Sequence, residues 1–168
     1  MRALNRSLPQ SDKEAAAGRI CAAVEALPAF AQARCIACFC ALPDEPPTAA
    51  MLQRWSAAHR VVVPRVEGER MHFCDFRAGM LHAGAFGIAE PDAAAALCDP
   101  AAIDLIVVPG VAFTADGMRL GRGRGFYDRY LAQSGMRAFR VGICFAHQLV
   151  DELPAEPHDI RMDAVCRG

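Results

Sequence analysis

Leu105 to Val108 is a run of four apolar residues stopped at once by Pro109 and Gly110. It constrains the chain more than any other stretch. An unbroken short run of this kind, with no polar alternation, forms a strand buried on both faces. Other segments repeat the pattern: Arg34 to Ala41, Val61 to Val63 closed by Pro64, Arg140 to Phe145, and a last strand over Arg161 to Val165. Helical spacing lies between them. Ser11 and Glu14 have the form of a capping box, Ile20, Val24 and Leu27 give an apolar stripe, and Pro28 ends the segment. Thr48 is placed to cap a second helix whose Met51, Leu52 and Trp55 face inward. The alternation in MHFCDF, residues 71 to 76, reads as an edge strand. Strands alternating with helices predict a mainly parallel sheet covered on both faces, an α/β chain organised as a three-layer α/β/α sandwich. With 168 residues, the whole of 1–168 is expected to be one domain.

The stretch after Gly110 carries the chemistry. A turn signal at Asp116-Gly117 leads to glycine at every second position, Gly121, Gly123 and Gly125, with Arg122 and Arg124 between them. Phe126, Tyr127, Tyr130 and Leu131 then repeat at helical spacing. Glycines let backbone N–H groups turn toward an anion, and arginines add charge-assisted contacts. The loop is neither a Lys-Ser/Thr phosphate loop nor G-x-G-x-x-G. A surface turn with solvated arginines has the same spacing, and Asp128 separates the two readings. A carboxylate beside phosphates needs a cation between them, and Mg²⁺ takes one or two carboxylates plus phosphate oxygens. Mg-nucleotide is therefore expected.

The run VPGVAFTADGMRLGRGRGFYDRYL resembles the signature of the 5-formyltetrahydrofolate cyclo-ligase (methenyltetrahydrofolate synthetase) family, whose loop has the form RLGxGxGYYD; Phe126 replaces the commoner first tyrosine. The resemblance extends to GIAEPD and over most of the chain. It implies the fold shared by sugar-phosphate isomerases and CoA-transferases, and ATP- and Mg²⁺-dependent closure of 5-formyltetrahydrofolate to 5,10-methenyltetrahydrofolate with release of ADP and phosphate. It assigns ATP to Arg119, Gly121, Arg122, Gly123, Arg124, Gly125, Phe126, Tyr127 and Asp128. Catalysis falls to Arg124, Tyr127 and Asp128, and folate to Glu45, Met71, Phe86 and Tyr127. Mg²⁺ falls to Asp128 and Asp159. From its place in the loop PDEPPT, Asp44 reads as a solvated acid, and His158, which the family does not require, as a structural or surface histidine. The family's basic K-x-x-L-R segment falls before Met1, which implies either an upstream start or a weakened ligase, with Arg2 unable to substitute.

Other properties narrow the class. A formal net charge of −1 gives no reason to expect nucleic acid or an anionic membrane, and no apolar run is long enough to span a bilayer. We expect a cytoplasmic monomer with folate and ATP as its partners. Among eight cysteines, Cys38 and Cys40 share one strand face and Cys35 points to the other, which does not suit one tetrahedral site. Buried reduced thiols are expected. Two alternatives stay open: a non-catalytic folate or nucleotide binder, and a phosphosugar isomerase or CoA-transferase-like enzyme.

Overall fold

The run from Leu105 to Val108 becomes the middle of a six-stranded sheet. In this computed structural model residues 1–84, 87–154 and 159–168 are described. The strands are β1 (Cys35–Ala37), β2 (Arg60–Glu67), β3 (Arg70–Asp75), β6 (Leu105–Val108), β9 (Phe139–Cys144) and β10 (Ala164–Arg167). Their order is β10-β9-β6-β1-β2-β3. All neighbours are parallel except β2 and β3, an antiparallel edge pair in which Pro64 lies opposite Phe73. Two small antiparallel pairs stand outside it: β4 (Leu81–Ala83) with β5 (Ala89–Pro91), and β7 (Ala112–Phe113) with β8 (Arg119–Leu120).

Alternation along the strands divides the core. Ile36, Val61, Val63, Leu105, Val107, Val141 and Ile143 pack with Ile20 and Val24 of α2 (Gln10–Glu25) and with Met51, Leu52 and Trp55 of α4 (Ala49–Trp55). Ala37, Val62, Phe73, Ile106 and Val108 face the other way, onto Phe113 and onto Tyr130 and Leu131 of α5 (Phe126–Leu131). Cys38 and Cys40 fall in the first cluster and Cys35 in the second; the alternation itself ends with β1, since Phe39 also joins the first cluster. The mostly parallel sheet flanked by helices is the predicted class. No helix among the described residues is long and apolar enough to cross a membrane.

Several boundaries differ from the sequence reading, each for a local reason. β1 stops at Ala37 rather than Ala41. One further bond joins Cys38 N–H to the Val62 carbonyl at 3.0 Å, after which Thr48 takes over the ladder's role. Its hydroxyl donates to the Phe39 carbonyl at 2.6 Å and accepts from Ala41 N–H at 3.1 Å, so it clamps a loop instead of capping α4. The Ser11–Glu14 capping box does not form. Pro9, extended and without an N–H, caps α2 two residues earlier, its carbonyl taking the N–H groups of Asp12 and Lys13. Pro28 ends nothing further; it opens α3 (Pro28–Gln32). β2 runs through Pro64, because its register with β1 ends at Val62 and no ladder bond is lost with the missing N–H. The last two strands shift to 139–144 and 164–167.

Candidate functional site

Where the chain leaves the carboxyl ends of β1, β2 and β6, it encloses a cavity of about 820 Å³. Open parallel sheets present ligands at this edge, because strand ends and the loops that follow them converge there. Phe39 and Cys40 follow β1, Pro64 and Val66 belong to β2, and Pro109 and Gly110 follow β6. Gln148, 1% exposed, fixes the last of these turns by donating to the Gly110 and Val111 carbonyls at 3.1 and 2.9 Å.

The β7–β8 hairpin separates β6 from the glycine–arginine loop, an insertion that local pattern did not resolve. Gly117 anchors it: a Cβ there would lie 2.2 Å from the Met162 carbonyl, and Met162 N–H donates to the Gly117 carbonyl at 2.8 Å. Past β8 the chain lines the cavity continuously from Arg119 to Asp128. Gly123 and Gly125 adopt left-handed φ of 81° and 65°, a region costly for other residues, and Gly125 directly precedes α5. Arg124 is exposed at this loop.

The structure brings most of the expected site residues to one place but pairs them in unexpected ways. Arg122 lies across the acidic loop, donating to Glu45 Oε1 from Nε at 3.0 Å and from Nη2 at 2.7 Å, and to both Asp44 oxygens at 3.1 Å. Asp44 is therefore not a solvated acid. Its side chain is 1% exposed, and it also accepts from Arg2 Nε at 2.9 Å. Burial raises the Asp44 carboxyl, but the guanidiniums of Arg122 and Arg2 outweigh this and hold it below the usual carboxylate range. Glu45 spends its second oxygen on Leu42 N–H at 2.9 Å.

Arg2 arrives on a helix that the sequence reading did not foresee, α1 (Arg2–Ser7). Buried Asn5 ties α1 to the site, donating to the Asp44 carbonyl at 2.9 Å and accepting from His147 Nε2 at 2.6 Å. Lys13 of α2 adds a bond to the Pro43 carbonyl at 2.9 Å. Arg2 and Arg6 both line the cavity, so basic residues reach it from this N-terminal helix.

Asp128 is ion-paired with Arg119, whose side chain is 5% exposed. The Arg119 guanidinium stands 5.9 Å from the centre of the Tyr127 ring, and its Nε is buried with no hydrogen-bond partner among the described residues. Burial, with Glu45 adding to it, raises the Tyr127 phenol well above its ordinary value, so its hydroxyl stays neutral at physiological pH. Asp159 and Met71 also line the cavity. Phe86 and His158 lie outside the described residues. Glu90 was missed: it is a buried acid on β5 that lines the cavity, inside the GIAEPD segment that carries part of the family resemblance.

Among the described residues the cavity wall thus carries five arginines, Arg2, Arg6, Arg119, Arg122 and Arg124, against five carboxylates, Asp44, Glu45, Glu90, Asp128 and Asp159. No group of three or more His, Cys, Asp or Glu among the described residues could hold a metal alone. Asp128 and Asp159 in a cavity rich in guanidinium donors do match what Mg²⁺ needs when phosphate and water complete its shell.

A mostly parallel α/β sheet with a ligand-sized cavity at its carboxyl edge, walled by a glycine–arginine loop, defines a small-molecule-handling α/β domain. The sequence places it more closely, since the profile of the 5-formyltetrahydrofolate cyclo-ligase family matches residues 1–168, and the chain belongs to that family. A 5-formyltetrahydrofolate cyclo-ligase of Mycolicibacterium smegmatis is 41% identical over 91 residues, covering 54% of this chain and 47% of that protein. One of Haemophilus influenzae is 32% identical over 144 residues, covering 82% and 77%. The alignments with the mycobacterial and mouse relatives span about half of those proteins or less, 47% and 33%. Among solved structures, the Aquifex aeolicus 5,10-methenyltetrahydrofolate synthetase superposes with a TM-score of 0.86 at 28% identity, covering 98% of this chain and 84% of that one. The Mycoplasma pneumoniae synthetase, at 24% identity and a TM-score of 0.77 over 98% and 92%, shows the same fold.

Proposed function

We propose that this chain closes 5-formyltetrahydrofolate to 5,10-methenyltetrahydrofolate with consumption of ATP and Mg²⁺ and release of ADP and phosphate. The observation that carries the reading is the two-sided cavity. One side is the loop from Arg119 to Asp128; the other is an apolar wall of Phe39, Pro64, Val66, Met71 and Ile88 next to the acids Glu45 and Glu90. The first suits a polyphosphate and the second a pterin ring with N–H donors. Arg119, Arg122 and Arg124, with the amides of Gly121, Gly123 and Gly125, hold the nucleotide phosphates. Glu45, Met71 and Tyr127 hold the folate.

The formyl oxygen attacks the γ-phosphorus of ATP, and ADP leaves. Nitrogen 10 adds to the resulting iminium phosphate and gives up its proton. Loss of phosphate then leaves the methenyl product. Phosphorylation turns a poor leaving oxygen into a good one, so the protein's task is positioning and charge neutralisation. Asp128 and Asp159 are the residues that would hold Mg²⁺, which when bound screens the phosphate charge and polarises the transferred group. Arg124 faces the phosphates from the loop, and the neutral Tyr127 hydroxyl serves as a hydrogen-bonding and packing group, not as a base.

The test is ADP release and appearance of the methenyl chromophore, each measured with and without 5-formyltetrahydrofolate. Folate-dependent release of both supports the ligase. Binding of either ligand without turnover would replace it with a non-catalytic binder, and turnover of a phosphosugar or CoA ester without ATP would replace it with an isomerase or transferase.

A further inference from the structure

Glu90 is 6% exposed, lines the cavity and takes no part in the ion pairs around it. Its one hydrogen bond among the described residues comes from Val66 N–H to Oε1, at 3.2 Å. An ionised carboxylate can accept from about four donors, so one long bond leaves Oε2 uncommitted. No arginine or lysine among the described residues pairs with it. A buried anion held by one amide is costly unless further donors arrive.

The hairpin of β4 and β5 is built around this carboxylate. A Cβ at Gly84 would stand 2.3 Å from Glu90 Oε2 and 2.4 Å from its Cδ, so the carboxylate lies directly over this glycine and a larger residue there would make it shift. Across the cavity, Cys40 feels the charge: burial, and then Glu90, raise its thiol to about 11. The contrast with Glu45 is direct. Glu45 receives Arg122 on one oxygen and Leu42 N–H on the other, so a ligand must share it. Glu90 is unshared, and its neighbours Val66, Met71 and Ile88 form the apolar part of the wall.

We propose that Glu90 is a specificity-determining residue that accepts the N–H edge of the reduced pterin, an inference that rests on the folate reading above. A reduced pterin offers its 2-amino group and ring N–H groups side by side, which a carboxylate meets with two parallel bonds. The phosphates of the nucleotide are repelled from the same spot. Glu90 therefore sorts the two substrates as well as binding one: the pterin takes the β2–β3–β5 wall, and the nucleotide takes the glycine–arginine loop.

The experiment uses the full chain, calorimetric titration of 5-formyltetrahydrofolate without ATP, and steady-state KM for both substrates. E90Q keeps the size and the Val66 contact but replaces one acceptor with a donor. It should raise the folate Kd by about tenfold or more while the KM for ATP and the thermal midpoint stay at parent values. A ligand-side arm needs no variant: the parent should bind a 2-desamino analogue about tenfold more weakly than the parent compound. Parental folate affinity in E90Q, or equal affinity for the analogue, overturns the proposal while leaving the ligase reading intact. So does a fall in kcat alone, which would make Glu90 a proton acceptor. A parent chain that neither binds nor turns over the folate overturns the ligase reading, and this inference with it.

Discussion

Arg122 separates two roles that the sequence could not tell apart, phosphate ligand and internal cross-link, and its removal in the absence of nucleotide distinguishes them. Its guanidinium makes four contacts of 2.7–3.1 Å to Asp44 and Glu45. The carboxylates' side chains are 1% and 6% exposed and its own is 24% exposed. Removing one partner of a buried pair costs about 3–5 kcal/mol, because the remaining charge is left unpaired. Arg2 still reaches Asp44, and water reaches Arg122, so Arg122→Ala should fall at or below that range, at about 2–3 kcal/mol. Urea denaturation at neutral pH without ligands measures it. Asp44 has a folded-state pKa below its unfolded one, so its stabilisation is present above the unfolded value and is lost as pH falls through the folded one. The gap between parent and variant should therefore be full at neutral pH and narrow below about pH 4. Arg122→Lys, a point charge without the fork, should lie between them. Parental stability of the alanine variant at neutral pH would refute the cross-link, and an undiminished gap in acid would refute its electrostatic cause.

The remaining predictions concern ligands. Arg124→Ala should raise the KM for ATP while leaving folate affinity nearly unchanged; equal loss of both in paired titrations would point to a folding defect, and unchanged ATP dependence would remove Arg124 from the nucleotide site. Asp128→Asn keeps an acceptor for Arg119 but loses the charge, so it should abolish turnover at a stability cost of about 1 kcal/mol, and normal activity at limiting Mg²⁺ would exclude the metal role. Glu45→Gln should weaken folate binding by on the order of 2 kcal/mol and, because it loosens the hold on Arg122, should not weaken ATP binding by calorimetry; folate affinity equal to the parent's would rule out the pterin contact.

What the sequence revealed, and what it hid, follows from the range of the interaction concerned. The buried strands were legible because burial on both faces is written into consecutive residues, as in Leu105 to Val108, and the opposite faces of Cys35 and Cys38 followed from period two. Asp44 was misread because its partner stands 78 positions away, and nothing in PDEPPT marks one acid as buried. Thr48 has the composition of a cap, yet its hydroxyl finds the Phe39 carbonyl nine residues earlier, a competition that local propensity does not record. α1 escaped notice because its place depends on Asn5 reaching both Asp44 and His147. Glu90 stands inside GIAEPD, a segment that carries the resemblance without showing what its acid does, and only the β4–β5 hairpin gives it a direction.

The charges of the cavity explain why these pairings matter to the proposed reaction. Among the described residues five arginines face five carboxylates, so that part of the wall offers no excess positive field to a triphosphate. Nucleotide can be accommodated in two ways: a cation enters with it, or internal pairs open to free guanidinium groups. Arg119 with Asp128, and Arg122 with Asp44 and Glu45, are the pairs placed to open. The two routes are linked, because an Asp128 that turns to a cation releases Arg119, whose buried Nε already has no hydrogen-bond partner among the described residues. Likewise a pterin that takes up acceptor capacity on Glu45 weakens its hold on Arg122 and frees that fork for phosphate. Folate and ATP should then favour each other's binding, a coupling that the separate affinity of either ligand, measured with and without the other, reads directly.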